Sequence, residues 1–594
     1  MANIFNSIYF RRPASSRHNL THENKLSCNL GRLVPFFCEE VLPGDKWSVL
    51  SSFRLELAPL IAPLMHNMDV FCYFFYVPND ILSSAWDSWI TQGEPADSPN
   101  IPHPARFNLH QPGTRKFLTL PDLLDVAGPG TLLDYLGFSN EFARSNTESP
   151  TADTDAMSYS FLPVQAYHAI WLNYFRNENF TPLPNTWGNP GGFNSDVDQP
   201  ANINQADWKA WNFYYRNNVT VSVYYYFQQG DDEIPNSPNR LLPHKRPRRA
   251  NYMHDYFTAA LPFTQRGPIV RLPIGQSAPV NLKSGLESND NGAFVQPTGQ
   301  PWPSVTGNII SAGNDNGGVY IAGPDGNDRA TAYDPRGTLE ADLSEASGIS
   351  VLDLRRLSRL QQWLEKNAVG GGRPGEVVYN HFGVKPRDTR YCKPVFLGGG
   401  RVPIEISNVL QTSQTTSTSA QATPSGYARS QGFAGFKRRY FDDYGWIMGI
   451  LYVMPRSQYI QGTRRYWDRS SRFDYFWPEF ERIGEQPVYN WEIYDNGLAD
   501  GVNDGIFGYN PRYSDYKYIP SSVHGDFKTS LSFWHAARIF SSRPNLNSSF
   551  LHLGNDIDRI FAVSESQSDQ RCWFWIRNQV KVRRKMLKNP QPDI

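Results

Sequence analysis

Two short runs of basic residues have the types and spacing to do chemistry. Near the C-terminus five cations lie within eight residues: Lys581, Arg583, Arg584, Lys585 and Lys588. A second run in mid-chain contains Lys245, Arg246, Arg248 and Arg249. Lys and Arg side chains bind phosphate oxygens without reading base sequence. Both runs are therefore candidate DNA contacts, with a solvated surface as the alternative for each.

Two tryptophans precede the C-terminal run. Trp573 and Trp575 lie in a segment with the alternating pattern of a strand. Their rings could stack on unpaired bases or anchor the strand in the core. Core anchoring is the preferred interpretation from sequence.

The motifs of the common enzyme classes are missing from the sequence. No Gly-Lys dipeptide occurs, so no Walker A loop exists, and His22 lacks the second histidine of an HExxH motif. The GxGxxG spelling at 370–375 follows a helical pattern and contains Pro374, which indicates a helix stop and a turn. His18 and His22 would suit a metal only on a helix, whereas their polar neighbours favour an extended arm. We predict no catalytic, cofactor-binding or metal-ligating residue, and no enzyme.

Composition describes a ring-rich chain without net charge. Its 594 residues include 57 Lys and Arg against 57 Asp and Glu, which argues against a whole-surface nucleic-acid binder but allows one basic face. Aromatic residues make up 14% and charged residues only 19%, so many rings must be buried in the core or against other copies.

Five cysteines without a CxxC pair favour buried, reduced thiols over disulfides or zinc. The N-terminus lacks the apolar core of a signal peptide. The longest apolar run, 446–454, is too short to span a bilayer. We expect a soluble protein made in the cytosol.

Strand-like runs punctuated by Gly and Pro dominate the chain, which predicts an antiparallel β-sandwich. The run at 68–77 is almost wholly apolar, so both of its faces should be covered. Further strands are expected at 219–227, 447–453, 559–563 and 572–582. The last two are separated by polar residues and are expected to form a hairpin.

Helical periodicity is confined to three segments. After Pro78, the apolar spacing of Ile81, Ala85 and Trp89 predicts a short helix. A second helix is expected over 162–180. A third, over 350–370, should pack on the sandwich through a leucine stripe and begin at a capping box, comprising Leu354, Leu357, Leu360 and Leu364 with Ser350 and Asp353.

Residues 276–345 differ from the rest in composition. They are rich in Gly, Asn, Asp, Ser and Pro and contain few apolar residues, which is typical of a surface insertion. A weaker candidate for a second insertion is 181–210.

Several long blocks resemble one viral family. They include LVPFFCEEVLPGD at 33–45 and FFYVPN at 74–79, with further blocks at 161–179, 254–275, 359–400, 506–527 and 532–540. These resemble the major capsid protein of the microviruses, small icosahedral single-stranded-DNA phages, and the gokushovirus-like branch is nearest. In the second of the further blocks, Phe263, Thr264 and Arg266 replace the family's Trp, Pro and Lys.

The resemblance implies an eight-stranded antiparallel viral jelly roll, mainly β, with large inserted loops and a few helices. It also implies a homo-oligomer of about 60 copies in a T=1 shell around circular single-stranded DNA. In gokushovirus-like members an insertion rises at the three-fold axes.

We expect four parts. These are an N-terminal arm (1–30), a jelly-roll core (31–275 and 346–565), a protruding surface insertion used in host attachment (276–345), and a C-terminal strand with a basic tail (566–594).

Partners follow from the same resemblance and from charge. Five tail cations on about 60 copies give roughly 300 charges, far fewer than the phosphates of such a genome. We therefore expect a small basic DNA-packaging protein or polyamines inside the shell. An internal scaffold protein and a host cell-surface receptor are expected as further partners from the resemblance. The protein would reside in the virion capsid after assembly in the host bacterial cytoplasm.

Two other functions fit part of the composition. A carbohydrate-binding or carbohydrate-active β-sandwich would explain the 16 Trp and 31 Tyr. A monomeric single-strand DNA-binding protein would explain the basic runs, although the zero net charge opposes it.

Overall fold

The structure is a computed structural model. It describes residues 14–83, 86–91, 104, 106–107, 128–138, 159–181, 246–268, 280–282, 294–295, 309–310, 319–322, 328–333, 339–341, 351–371, 374–384, 393–410, 412, 415, 421–497, 502–563 and 570–588. The chain divides into a larger unit, 1–264 with 373–594, and a smaller unit, 265–372.

Strands account for more of the described structure than helices do. In chain order the strands are β1 (Ser16–Asn19), β2 (His22–Cys28), β3 (Val34–Val41), β4 (Lys46–Leu57), β5 (Met68–Pro78), β6 (Arg106–Phe107), β7 (Tyr159–Ser160), β8 (Val280–Leu282), β9 (Phe294–Val295), β10 (Ile309–Ile310), β11 (Val319–Ala322), β12 (Asp328–Tyr333), β13 (Leu339–Ala341), β14 (Val395–Pro403), β15 (Glu405–Leu410), β16 (Pro424–Tyr440), β17 (Gly445–Pro455), β18 (Glu485–Tyr489), β19 (Ile506–Pro511) and β20 (Cys572–Arg584).

The helices are short with one exception. They are α1 (Asn79–Leu82), α2 (Trp86–Ile90), α3 (Leu132–Tyr135), α4 (Leu162–Ile170), α5 (Val351–Gly370), α6 (Pro374–Phe382), α7 (Asn490–Ile493), α8 (Ser514–Lys517) and α9 (Ser548–Leu551). A π-helical turn, Trp171–Phe175, continues α4. Single 3-10 turns occur at Arg465–Asp468, Arg472–Asp474, Pro478–Phe480, Gly525–Lys528, Ser532–Trp534 and Asn555–Ile560.

Two antiparallel sheets form the core of the larger unit. One has the order β14-β5-β17-β3, and the other runs β1-β20-β4-β16-β15 with β2 also paired to β20. Rings from the two sheets meet between them, since Phe74 of β5 packs edge-on against Phe436 of β16 at 5.7 Å between centroids. The prediction of a mainly β, antiparallel sandwich is confirmed.

β5 is buried along nearly its whole length because both of its faces are covered, as its apolar sequence predicts. On one side Phe74 faces the second sheet. On the other, Phe75 packs against Tyr174 and Phe175 of the π-helical turn, at 4.7 and 6.0 Å between ring centroids. The helix predicted over 162–180 is therefore real up to Phe175, and it covers the outer side of the smaller sheet.

Two sequence-based predictions of local structure are wrong. Residues 559–563 do not form a strand paired with β20. Asn555–Ile560 is a 3-10 turn, and its last residue, Ile560, and the following Phe561 are buried in the core. A short apolar run does not distinguish a strand from a buried turn. The helix expected after Pro78 is split into α1 and α2, because Ser83 has an extended backbone.

The long helix α5 is confirmed, but its leucine stripe is only partly buried in this protomer. Leu364 is buried, whereas Leu354 and Leu360 are exposed. The chain turns at Gly371, which has φ of +90°, a value that favours glycine. The GxGxxG spelling therefore marks a helix end, as predicted.

The segment 276–345 contributes short strands to the smaller unit. β10, β11, β12 and β9 form one sheet in that order, and β13 pairs with β8. Predictions for the strand at 219–227, the segment 181–210, the capping residue Ser350 and Cys392 lie outside the described residues. The four described cysteines, Cys28, Cys38, Cys72 and Cys572, are free thiols.

Candidate nucleic-acid interface

The C-terminal strand β20 carries the predicted basic residues on one face and core residues on the other. Its burial alternates along its length. Phe574, Ile576 and Val580 point into the sandwich. The intervening side chains, which include Lys581 and Arg583, point out. This strict alternation is what a strand with one solvated face requires.

Pairing with neighbouring strands extends this exposed side into a broad surface. Residues directly opposite each other in antiparallel strands point to the same side. We call this surface the outer sheet face, and its charged and ring-bearing members include Arg17, Glu23, Lys25, Lys46, Arg54, Glu56, Glu405, Tyr427, Arg429, Phe433, Tyr440, Trp573, Trp575, Arg577, Lys581 and Arg583. Eight of them are cations and three are carboxylates.

One end of the outer sheet face concentrates like charges. Arg583 lies directly between Arg17 of β1 and Lys46 of β4. Like charges directly opposite each other destabilise a sheet. Arg583 donates from Nε to Ser15 Oγ at 3.0 Å, a neutral partner, so within the described residues its charge is not compensated by a carboxylate. An anion bound across this row would relieve the repulsion.

The other end of the face presents two indole rings. Trp573 and Trp575 are each 40% exposed, so the preference for core anchoring is wrong. Their ring nitrogens are engaged, with Trp573 Nε1 donating to the carbonyl of Gln570 and Trp575 Nε1 donating to Glu23 Oε2, both at 3.2 Å. The indoles are thus held in place with a ring surface open to solvent, the arrangement that stacking on unpaired bases needs.

Charge near the indoles is partly neutralised within the protein. Arg54 pairs with Glu56 two residues along β4, and the hydrogen bond that its guanidinium donates to this carboxylate raises the pKa of Arg54. Across the sheet, Trp575 lies between Arg54 and Lys25. Cations therefore flank the ring from both sides, and one of them already has an acidic partner.

The Arg584 side chain packs at the edge of the core, against Asp45 and Trp47, and is not part of the outer sheet face. Its Nε lies 3.0 Å from Asp45 Oδ2, and its side chain is only 19% exposed while Asp45 is fully buried. The guanidinium also covers the Trp47 ring at 5.2 Å and donates to the Glu40 carbonyl at 2.8 Å. Trp47 donates its own ring N–H to the same carboxylate at 3.0 Å. Arg584 therefore neutralises a buried charge.

The remaining tail cations lie beyond the end of the strand. Lys585 and Lys588 are exposed, as are the neighbouring Met586 and Leu587. The stem of Lys585 runs close to Gly44, in the turn between β3 and β4. The structure thus brings Lys581 and Arg583 together on the sheet and leaves these two lysines at its rim.

In the mid-chain basic run, Arg248 and Arg249 make contacts with the rest of the fold. Lys245 lies outside the described residues, and Arg246 is exposed. Arg248 covers the Trp171 ring at 4.4 Å. Arg249 Nη1 lies 3.5 Å from the Leu553 carbonyl and its backbone bridges Arg32. These contacts give Arg248 and Arg249 a structural role.

Sequence reasoning missed most of the outer sheet face. Arg17, Lys25, Arg54 and Arg429 are isolated charges in the sequence, and pairing alone aligns them with β20. Phe433, which is 72% exposed, was missed as well. The one available signal was the alternation of β4 and β20.

Among the described residues, no three or more His, Cys, Asp or Glu side chains lie together as a metal ion would require. Within that part of the chain, no helix has the length and apolar character to cross a membrane.

The described residues thus form an antiparallel β-sandwich with one exposed sheet face rich in cations and rings. The comparisons with known proteins identify it further. The family model described as "Capsid protein (F protein)" matches residues 10–189 and 190–592. The chain belongs to this family of phage capsid proteins, and it is a structural protein rather than an enzyme.

Three relatives are similar along nearly their whole length. The capsid protein VP1 of Chlamydia phage 1 is 31% identical over 97% of this chain and 95% of its own. The corresponding VP1 of Bdellovibrio phage phiMH2K is 30% identical over 92% and 90%. That of Spiroplasma virus 4 is 27% identical over 93% and 90%. The resemblance to gokushovirus-like capsid proteins is confirmed, and capsid function replaces the two alternative functions.

Proposed function

We propose that this capsid protein closes into a T=1 shell of about 60 copies around a circular single-stranded DNA genome, with the outer sheet face turned toward that DNA. The observation that carries the proposal is the uncompensated row of Arg17, Arg583 and Lys46 beside two fixed, exposed indoles. Phosphates would neutralise the row, and unpaired bases would stack on the rings.

Sequence-independent packaging suits this chemistry. A genome lining a shell passes many different sequences over identical protomers, so each protomer must bind any of them. Cations and rings do this, because every nucleotide has a phosphate and every base has a π-face. Lys581, Arg583 and the rim residues Lys585 and Lys588 are the proposed phosphate contacts of the tail. Arg584 is excluded from that role by its bond to Asp45.

Further partners belong to the same proposal. Eight cations per outer sheet face on about 60 copies give roughly 500 charges, still fewer than the phosphates of a genome of thousands of nucleotides. A small basic packaging protein would supply the difference. An internal scaffold protein would guide assembly in the host bacterial cytoplasm, where the free thiols of the described cysteines stay reduced.

The insertion 276–345 is proposed as the protrusion on the outside of the shell and as the surface that meets the host receptor. Its composition, rich in Gly, Asn, Asp, Ser and Pro, supports exposure. A particle map with this segment facing the interior would contradict the proposal.

The DNA contact is tested by a double substitution, Lys581→Gln with Arg583→Gln. Both side chains are exposed, so the fold should survive. Binding of the purified protomer to oligo-dT is measured against salt concentration. Losing two phosphate contacts should flatten the slope of log K on log salt by roughly 1.4, and particles should contain less DNA.

A matched control removes the same two charges elsewhere. Arg355→Gln with Lys366→Gln changes two exposed cations on α5. This control should keep the wild-type slope and DNA content. If the two double variants had the same salt slope and the same DNA content, the proposed role of the outer sheet face in DNA binding would be contradicted.

A further inference from the structure

A second exposed surface lies in the larger unit, in the segments 464–483 and 512–519. We call it the aromatic patch. Ten large apolar side chains here are 43 to 75% exposed: Tyr466, Trp467, Phe473, Tyr475, Phe476, Trp477, Ile483, Tyr516, Tyr518 and Ile519. Neither the core nor the proposed DNA contact uses them.

The patch is a connected surface. Arg469 lies over the rings of both Tyr475 and Tyr516, at 5.7 and 4.2 Å from their centroids. Phe476 packs edge-on against Tyr516 at 6.2 Å. Trp477 donates its ring N–H to the Arg472 carbonyl at 2.9 Å. These contacts link the two segments into one surface.

Buried polar bonds hold the patch in this open arrangement. Arg469 Nη2 lies 2.5 Å from Asp515 Oδ2, with the two side chains 13% and 12% exposed. Gln486 donates to the other oxygen of Asp515 at 3.1 Å and accepts from the backbone N–H of Tyr513 at 2.9 Å. Tyr513 itself has φ of +62°, a conformation that costs a tyrosine energy. A strained, fixed loop that keeps rings in solvent is preorganised for binding.

The exposed area matches an interface between protein molecules. At roughly 100 Å² for each half-exposed large side chain, the ten members of the patch together expose about 1,000 Å². The largest apolar patch of a typical monomer is roughly 300 to 600 Å², and a standard interface buries about 800 Å² on each partner. Its composition of Trp, Tyr and Arg is that of interface hot spots.

Charge selects the kind of partner. The two segments contain seven cations and five carboxylates, so the patch is nearly neutral. A polyanion such as DNA would find little net attraction there, in contrast to the outer sheet face. Another copy of this chain, which carries 57 charges of each sign, meets no net repulsion and offers partners of both signs.

We infer that the aromatic patch is a contact surface between copies of this chain in the shell, with Trp467 and Trp477 among its anchors. This inference rests on the proposed function, because it names the surface through which the copies join. Trp467 is its most exposed ring, 75% accessible in the protomer.

The test compares three forms of the full chain in cells carrying the complete phage genome: wild type, Trp467→Ser and Phe382→Ser. Phe382, at the end of α6, is a matched control that is 77% exposed and lies in neither the outer sheet face nor the aromatic patch. The Trp467 variant should remain folded, with an unchanged unfolding temperature of the protomer, yet yield at least about tenfold fewer particles, since hot-spot truncation acts at every contact of the shell. The Phe382 variant should form shells in wild-type number.

Hydroxyl-radical footprinting of wild-type protein gives the second measurement. Oxidation of Trp467 and Trp477 should fall on going from dissociated protomers to particles. If wild-type particles form while both rings stay as reactive as in the protomer, the inference is overturned, and a patch left open in this way would be free for a receptor or a sugar. If wild-type chain forms no particles at all, the proposed function itself fails.

Discussion

Arg583 and Arg584 are neighbours in β20 but have different roles, and the burial of their side chains distinguishes them. Arg583 points out into a row of like charges, whereas Arg584 turns toward fully buried Asp45. In sequence the two are equivalent members of one basic run. Substituting them together would therefore combine a loss of DNA contact with a loss of stability.

The first residue-scale prediction concerns Arg584→Gln. Removing one partner of a buried ion pair leaves the other charge uncompensated, which typically costs about 3 kcal/mol or more. We expect a lower free energy of unfolding of that order in chemical denaturation, because Asp45 is fully buried. The exposed neighbour provides the comparison: Arg583→Gln should change stability by less than about 0.5 kcal/mol. Equal losses of unfolding free energy in Arg584→Gln and Arg583→Gln would contradict the assignment of Arg584 to the ion pair with Asp45.

A second residue-scale prediction concerns pH. Burial lowers the pKa of His66 to about 4 from 6.5, and burial also lowers the pKa of the nearby His535. His535 accepts from the N–H of Ala537 through Nδ1 and bonds the Phe527 carbonyl through Nε2. Both ring nitrogens are therefore committed in the neutral form.

The lowered pKa of His66 determines whether stability rises or falls with pH. Between pH 6.5 and 4 His66 binds a proton in the unfolded chain but stays neutral in the folded chain. The free energy of unfolding is therefore highest above pH 6.5 and falls as the pH drops toward 4. His66 alone should contribute a loss of about 3 kcal/mol over that range. We expect His66→Gln to flatten the dependence of the unfolding free energy on pH. The same slope in variant and wild type would refute the prediction.

At the scale of elements, close contact between strands decides where glycine is required. A Cβ on Gly435 of β16 would lie 2.2 Å from the backbone oxygen of Val49 on β4. A Cβ on Gly400 of β14 would meet nothing nearer than 3.6 Å. The outer sheet face depends on the first of these contacts, because β16 and β4 together align its cations.

Gly435→Ala is accordingly expected to destabilise the protomer by roughly 2 kcal/mol or more, since backbone must shift to admit the methyl group. Gly400→Ala should stay within about 0.5 kcal/mol of wild type. Thermal unfolding of both variants checks the pair. A tolerated alanine at 435 would mean that β16 and β4 are less closely apposed than described.

How far the sequence predicts these elements depends on the kind of signal. The continuous apolar run of β5 and the alternation of β20 predict their strands well, because periodicity reflects burial directly. The run 559–563 misleads, because a few apolar residues can enter the core from a turn. Arg17 and Arg54 meet β20 only through pairing over long sequence distances, which no local pattern encodes. Trp573 was misjudged since large rings are usually buried.

At the scale of the whole molecule, the two proposed binding surfaces differ in net charge. The outer sheet face is cationic and ring-bearing, whereas the aromatic patch is nearly neutral. The first is suited to a polyanion and the second to another neutral chain. Modest contacts of this kind suffice for a closed shell, because each protomer has several neighbours and the last contacts form within an already assembled particle.

The mass and shape of the assembled protein test the central claim most directly. Particles purified from cells carrying the complete phage genome would be imaged and weighed by native mass spectrometry after the DNA is removed. We expect closed shells in which this chain contributes about 60 copies, or about 4 MDa at 67.6 kDa each. Recovery of the chain only as dispersed single protomers of 67.6 kDa would contradict the account.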